Sequence, residues 1–158
     1  MKGKTAGRNI FRIMTASLLT LGLLIMVACS PTPTPTPTLS IALPANGANV
    51  PQGDITINAQ VTNFNVVDKQ GQASVAGEGH LHFYLDVAAP TTPGQPAIPV
   101  SGVWAHISGT TYTFTNVAAG THTISVELVN NNHTPLNPPV VAIVAITVTA
   151  PSGGGGGY

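Results

Sequence analysis

Residues 77–86 read Gly77-Glu78-Gly79-His80-Leu81-His82-Phe83-Tyr84-Leu85-Asp86, and apolar and polar side chains alternate through the second half of the run. A β-strand satisfies that period of two and a helix does not. In an extended chain Leu81, Phe83, Leu85 and Val87 share one face, while His80, His82, Tyr84 and Asp86 share the other. The first face reads as core. The second reads as a solvated row of polar groups that can compete for a metal.

The segments around this strand are also strand-like. Only 6% of residues are charged, and the chain is rich in Thr, Val, Asn, Gly and Pro, which form strands and turns. Leu39 to Leu43 alternates and is followed by turn chemistry at Pro44 to Ala48. From Asp54 to Val61, Ile55, Ile57, Ala59 and Val61 face one way and Thr56, Asn58 and Gln60 the other. Residues 65–79 read as a polar loop, and residues 88–99 as a long Pro-rich surface loop. Strands are then predicted over 100–107, 111–117, 122–129 and 140–149, with Asn130 to Pro135 as a loop. Seven strands and no helix after the leader predict an immunoglobulin-like antiparallel β-sandwich over residues 39–150.

The N-terminal region has a different logic. Lys2, Lys4, Arg8 and Arg12 precede an apolar run from Ile13 to Ala28, which ends at Met26-Val27-Ala28-Cys29. This pattern predicts a bacterial lipoprotein signal peptide over residues 1–28 with Cys29 as the lipidated residue; an uncleaved anchor helix is the alternative. Either places the domain outside the cytoplasm on a membrane. Residues 29–38 then form a Pro-Thr tether of extended polyproline geometry. Residues 151–158 read as a disordered Gly-rich tail.

Beyond the leader one lysine, Lys69, stands against Asp54, Asp68, Glu78, Asp86 and Glu127, a net charge of −4 with the histidines neutral. So few cations exclude nucleic acid as a partner. Cys29 is the one cysteine, and Met1, Met14 and Met26, the three methionines, all lie in the leader. The domain therefore has no disulfide and cannot build a blue-copper site from Cys and Met.

The motifs Gly77-x-Gly79-His80-x-His82-x-Tyr84-Leu85-Asp86, Gly120-Thr121-His122-Thr123 and Val126-Glu127-Leu128-Val129-Asn130-x-x-His133-Thr134-Pro135 carry a resemblance. The chain resembles a family of small secreted bacterial lipoproteins with an immunoglobulin-like domain of no established function, over roughly residues 39–149. The resemblance implies the fold and an extracytoplasmic setting, and no activity. The Gly-x-His-x-His run is also superficially similar to a copper-zinc superoxide dismutase strand. Here the disulfide is absent and the histidines are too few for two metals.

Strand pairing predicts where the histidines meet. In this topology the 80–87 and 122–129 strands are antiparallel neighbours, which brings His133 near His80. A hairpin that pairs Val87 with Ser101 also pairs His82 with His106. His80, His82, His106 and His133 are thus candidate metal ligands, with Glu127 and Ser125 as oxygen ligands or supporting partners. A set of N and O donors suits Cu²⁺ or Zn²⁺. The plainer readings stay beside this one. His80 and His82 are ordinary exposed residues, His106 packs on Trp104, and His133 fixes its loop. His122, at the far end, reads as a buried, hydrogen-bonded structural residue. Tyr84 and Asp86 read as cross-strand and strand-end groups.

Two functions follow: a membrane-tethered, non-enzymatic domain that binds one divalent metal ion, or a structural or adhesive module that contacts a cell-surface protein or glycan. No nucleophile motif, paired carboxylates or phosphate loop point to an enzyme.

Overall fold

The computed structural model describes Gly3 and residues 35–151. The rest of the leader, Cys29, the tether up to residue 34 and the tail from residue 152 lie outside the described residues. Two sheets face each other. One has the order β1-β3-β7, from β1 (Thr38–Leu43), β3 (Gly53–Thr62) and β7 (Thr111–Val117), all antiparallel. The other runs β2 (Asn49–Pro51), β9 (Pro135–Thr149), β8 (Gly120–Asn130), β5 (Glu78–Leu85). Beyond β5, β4 (Asn65–Val66) pairs with its start and β6 (Val103–Ile107) with the remainder. This is the immunoglobulin-like sandwich that the alternation predicts, with β5, β8 and β9 at the centre of the larger sheet.

The core sits where the alternating faces meet. β3 contributes Ile55, Ile57 and Ala59, and β7 contributes Phe114 and Val117. From the other sheet come Leu81 and Phe83 of β5, Ile124, Val126 and Leu128 of β8, and Val144, Ile146 and Val148 of β9. Each set is spaced by two residues or close to it, so the strands register without shifting a core residue to the outside.

The structure departs from the sequence reading in four places. Among the described residues there are nine strands rather than seven. β2 and β4 are parallel pairings of three and two residues, too short to show a period. The strand expected from residue 100 begins at Val103. The last strand begins at Pro135 rather than 140. Pro138 and Pro139 fall in a register shift, between the pairs Pro135–Val129 and Val140–Leu128, where a missing backbone donor is tolerated.

The fourth departure concerns the polar face of β5, which is buried rather than solvated. His80, His82, Tyr84 and Glu127 are all fully inaccessible, and Ser125 nearly so. The Pro-rich loop between β5 and β6 folds back over this face, with Ala97 fully buried. β5 is covered on both sides, by core on one and by a loop on the other.

Gly79 lets β5 lie close to β8. A Cβ there would meet the carbonyl oxygen of Val129 inside contact distance and the ring of Phe64 at 3.0 Å. The oxygen belongs to paired backbone and cannot swing away. Gly79→Ala should therefore lower stability by about 1–3 kcal/mol, read as a lower urea midpoint; an unchanged midpoint would show that the strands have slack.

Candidate metal centre

β5 places His80 and His82 two residues apart, so both rings leave the same face. β6 pairs His106 directly with His82, as the Val87–Ser101 hairpin predicts. β8 ends opposite the start of β5, with Gly79 paired to Asn130 and His80 to Val129. The loop leaving β8 then turns tightly. The Asn130 amide accepts no slack here: its backbone N–H donates to Thr134 O at 2.9 Å, and its side-chain Nδ2 donates to Thr134 and Pro135. Within that turn His133 takes a left-handed conformation, φ 65°, which disfavours a side chain of this size.

The result is a triangle of ring nitrogens. His80 Nε2 lies 3.1 Å from His82 Nε2, and each lies 3.2 Å from His133 Nδ1. His106 completes the group: one ligand nitrogen from each of the four lies within 4.8 Å of the others. The His106 ring is exposed, whereas His80 and His82 are buried and His133 is half-buried. The structure thus brings together all four predicted ligands.

Around the triangle, the backbone of Ala97 joins two of its corners. Its N–H donates to His133 O at 2.7 Å, and its carbonyl lies 2.8 Å from His82 Nδ1. A carbonyl only accepts, so His82 carries its proton on Nδ1 and presents the Nε2 lone pair to the triangle. The Tyr84 hydroxyl lies 3.2 Å from the same Nδ1, and its single proton is within reach of two acceptors, Ala97 O at 2.8 Å and Glu127 Oε2 at 2.9 Å. The Trp104 indole packs at 5.3 Å from the His82 ring and 5.6 Å from His106.

Glu127 lies outside the four-histidine group and reaches His82 through Tyr84. Ser125 faces a separate groove, lined also by Val87, Ala89, Thr123 and Ile143. His122 is half-buried rather than buried, at the opposite end of β8. Its Nδ1 donates to Asp86 Oδ2 at 2.6 Å and its Nε2 to Ala118 O at 2.9 Å. Both nitrogens face acceptors, and the Asp86 carboxylate raises the imidazole above its usual value. Asp86 also accepts from the Thr123 N–H, as a strand-end group should. Sequence reasoning missed Ala97, whose two main-chain groups leave no mark in side-chain chemistry.

Burial disfavours the charged form of His80, His82 and His133. Burial pushes His80 down to about 4 and His82 down to about 3, with the neighbouring imidazoles adding to both shifts. His133 is lowered as well, first by burial and then by His106. Glu127 moves the other way: burial raises its carboxyl to about 7, against the Tyr84 hydrogen bond. Among the described residues, the buried His80 Nδ1 and Glu127 Oε1 have no hydrogen-bond partner.

These shifts predict a pH dependence for the metal-free protein. Between about pH 4 and 6.5 the unfolded chain protonates its imidazoles while folded His80 and His82 stay neutral, so the unfolded state binds more protons. Glu127 opposes this, because folded it keeps a proton that the unfolded chain has lost above its ordinary value near 4.5. His122 opposes it too, since Asp86 raises its imidazole in the folded state, but the lowered His80, His82 and His133 outweigh the two raised groups. Thermal unfolding in the presence of chelator should therefore occur at progressively lower temperature from pH 6.5 to 5. A flat or rising profile would contradict the buried cluster.

No curated protein matches the chain significantly. Among solved structures it is similar to a fibronectin(III)-like module of Clostridium thermocellum CbhA, with 16% identity and a TM-score of 0.44 over 70% of this chain and 94% of that one. It is also similar to the PKD domain of human KIAA0319, with 14% identity and a TM-score of 0.37 over 82% and 96% of the two chains. The PKD domain of human SorCS2 matches at 14% identity and a TM-score of 0.38, over 94% and 100%. Residues 57–149, more than half of the sequence and every histidine-bearing strand, match the domain of unknown function DUF4399, and the chain belongs to that family.

Proposed function

We propose that this protein is an extracytoplasmic lipoprotein, tethered to a membrane through lipid on Cys29, whose domain binds one divalent ion, copper or zinc, without catalysing a reaction. His80, His82 and His133 supply the nitrogen ligands and His106 stands beside them. The observation that carries this reading is the triangle of three nitrogens at 3.1–3.2 Å.

A neutral imidazole nitrogen presents either an N–H or a lone pair in the plane of its ring. Among three nitrogens in mutual contact, at least two must present the same thing. Protons alone therefore leave one edge as lone pair against lone pair, or hydrogen against hydrogen. A central cation accepts all three lone pairs and removes the conflict. The edges also suit an ion: bonds of about 2.0–2.1 Å at tetrahedral angles require nitrogens about 3.3 Å apart. The depressed proton affinities of His80 and His82 favour the same occupant, since metal and proton compete for one lone pair. Tyr84 and Glu127 support the site by orienting His82.

Exposed Ile98, Val100 and Val103 lie in and after the loop that covers the site. They favour a second, compatible role for this loop as a contact with a protein or glycan partner.

His82 is buried, so replacing it with alanine would disturb packing as well as ligation. His133→Asn is the cleaner substitution, because asparagine tolerates the left-handed conformation. Calorimetry at pH 7 should find one tight equivalent of Zn²⁺ or Cu²⁺ in the protein and a loss of that binding in His133→Asn, with thermal unfolding retained. Undiminished stoichiometric binding in the variant would remove His133 from the ligand set.

A further inference from the structure

The separations within the cluster also bear on which ion it takes and on how the ion is enclosed. Square-planar or tetragonal coordination, which Cu²⁺ prefers, places three ligands with two edges of about 2.8 Å and one of about 4.0 Å when bonds are about 2.0 Å. The observed triangle is nearly equilateral at 3.1–3.2 Å. It matches one face of a tetrahedron and no three corners of a square.

His106 is the fourth member of the group. Its ring centroid is 5.9 Å from that of His80, 5.8 Å from His82 and 5.0 Å from His133. The other three rings are 4.8–5.4 Å from one another. Four imidazoles on one tetrahedral ion stand about 5 Å apart between ring centres, given metal–nitrogen bonds of about 2.0–2.1 Å. His106 is therefore displaced outward on the order of 1 Å from a ligand position. It is also the exposed member, and it sits on β6, which pairs with β5 on one edge and, among the described residues, with no strand on the other. Closing that gap falls to His106, the exposed side chain, with His80, His82 and His133 already in mutual contact.

We propose that the centre is a closed, four-histidine tetrahedral zinc site, in which the ion lands on the preformed face of His80, His82 and His133 and His106 swings in as the last ligand. This rests on the metal-binding reading above and specifies its ion, its coordination and its point of entry. With His106 engaged, no position is left for water or for an added anion. With His106 withdrawn, the fourth position faces outward, where a donor on an acceptor molecule can reach the ion. His106 is thus the ligand through which zinc is gained and given up.

The test uses Co²⁺ as a spectroscopic probe and Zn²⁺ for affinity, on the full chain and on His106→Ala. The full chain with Co²⁺ should show the intense visible bands of four-coordinate cobalt, unchanged by azide. His106→Ala should bind Zn²⁺ more weakly by about tenfold or more, exchange it faster, and give a cobalt spectrum that azide shifts. Weak six-coordinate bands, an azide-sensitive full chain, or an unchanged affinity and spectrum in His106→Ala would each overturn the proposal while leaving metal binding by His80, His82 and His133 in place. Failure of the full chain to bind either metal would instead overturn the metal-binding reading itself.

Discussion

Three imidazole nitrogens held in mutual contact inside a protein pose a problem that hydrogen bonding cannot solve. Each is either a donor or an acceptor, and a triangle cannot be labelled with two alternatives without repeating one on an edge. In an exposed cluster water would relieve the conflict. Here His80 and His82 are fully buried, and the rings cannot simply charge, because burial holds both well below the usual imidazole range. A cation that uses all three lone pairs, as proposed above, would resolve the conflict. The surrounding architecture acts to keep the three nitrogens where they are.

Much of that architecture is backbone. β5 fixes two rings on one face, β8 delivers the His133 turn to the same end, and the Ala97 peptide spans from one to the other. The left-handed His133 is retained by bonds on both sides of it, from Asn130 and from Ala97. Asn131, next in the same turn, is buried and donates to Glu78 Oε1 at 2.9 Å, and Glu78 in turn pairs with Lys69 at 2.8 Å. The turn is therefore anchored to the start of β5 as well as to the covering loop. A conformation that costs energy locally is held by several bonds elsewhere, an arrangement common at functional sites.

The alternation of residues 80–87 made the core face legible, and the pairing of His82 with His106 followed from one assumed hairpin. The meeting of His80 and His133 followed from the strand order of an immunoglobulin-like sandwich. These are properties of period and topology, which a sequence carries openly. The burial of the histidine face was not legible, because polar side chains on a strand read as solvated unless something covers them. What covers them is a Pro-rich loop whose composition suggests a surface excursion, and whose contact is made by the main chain of an alanine. The two shortest strands were hidden for a related reason, since two or three residues cannot display a period of two. Tyr84 and Glu127 were placed on the correct face. Their hydrogen bond, and its link to His82 Nδ1, depend on depth that the sequence does not encode locally.

The most direct test of this account is the state of each ring nitrogen, which ¹⁵N-detected histidine side-chain NMR reads with and without Zn²⁺. Without metal, His82 should be neutral with its proton on Nδ1. On adding Zn²⁺, His80 Nε2, His82 Nε2 and His133 Nδ1 should move to metal-bound shifts, while both nitrogens of His122 remain protonated and unchanged. A His82 protonated on Nε2, or the absence of a metal-induced shift at these three nitrogens, would contradict the claim that the triangle is a ligand set.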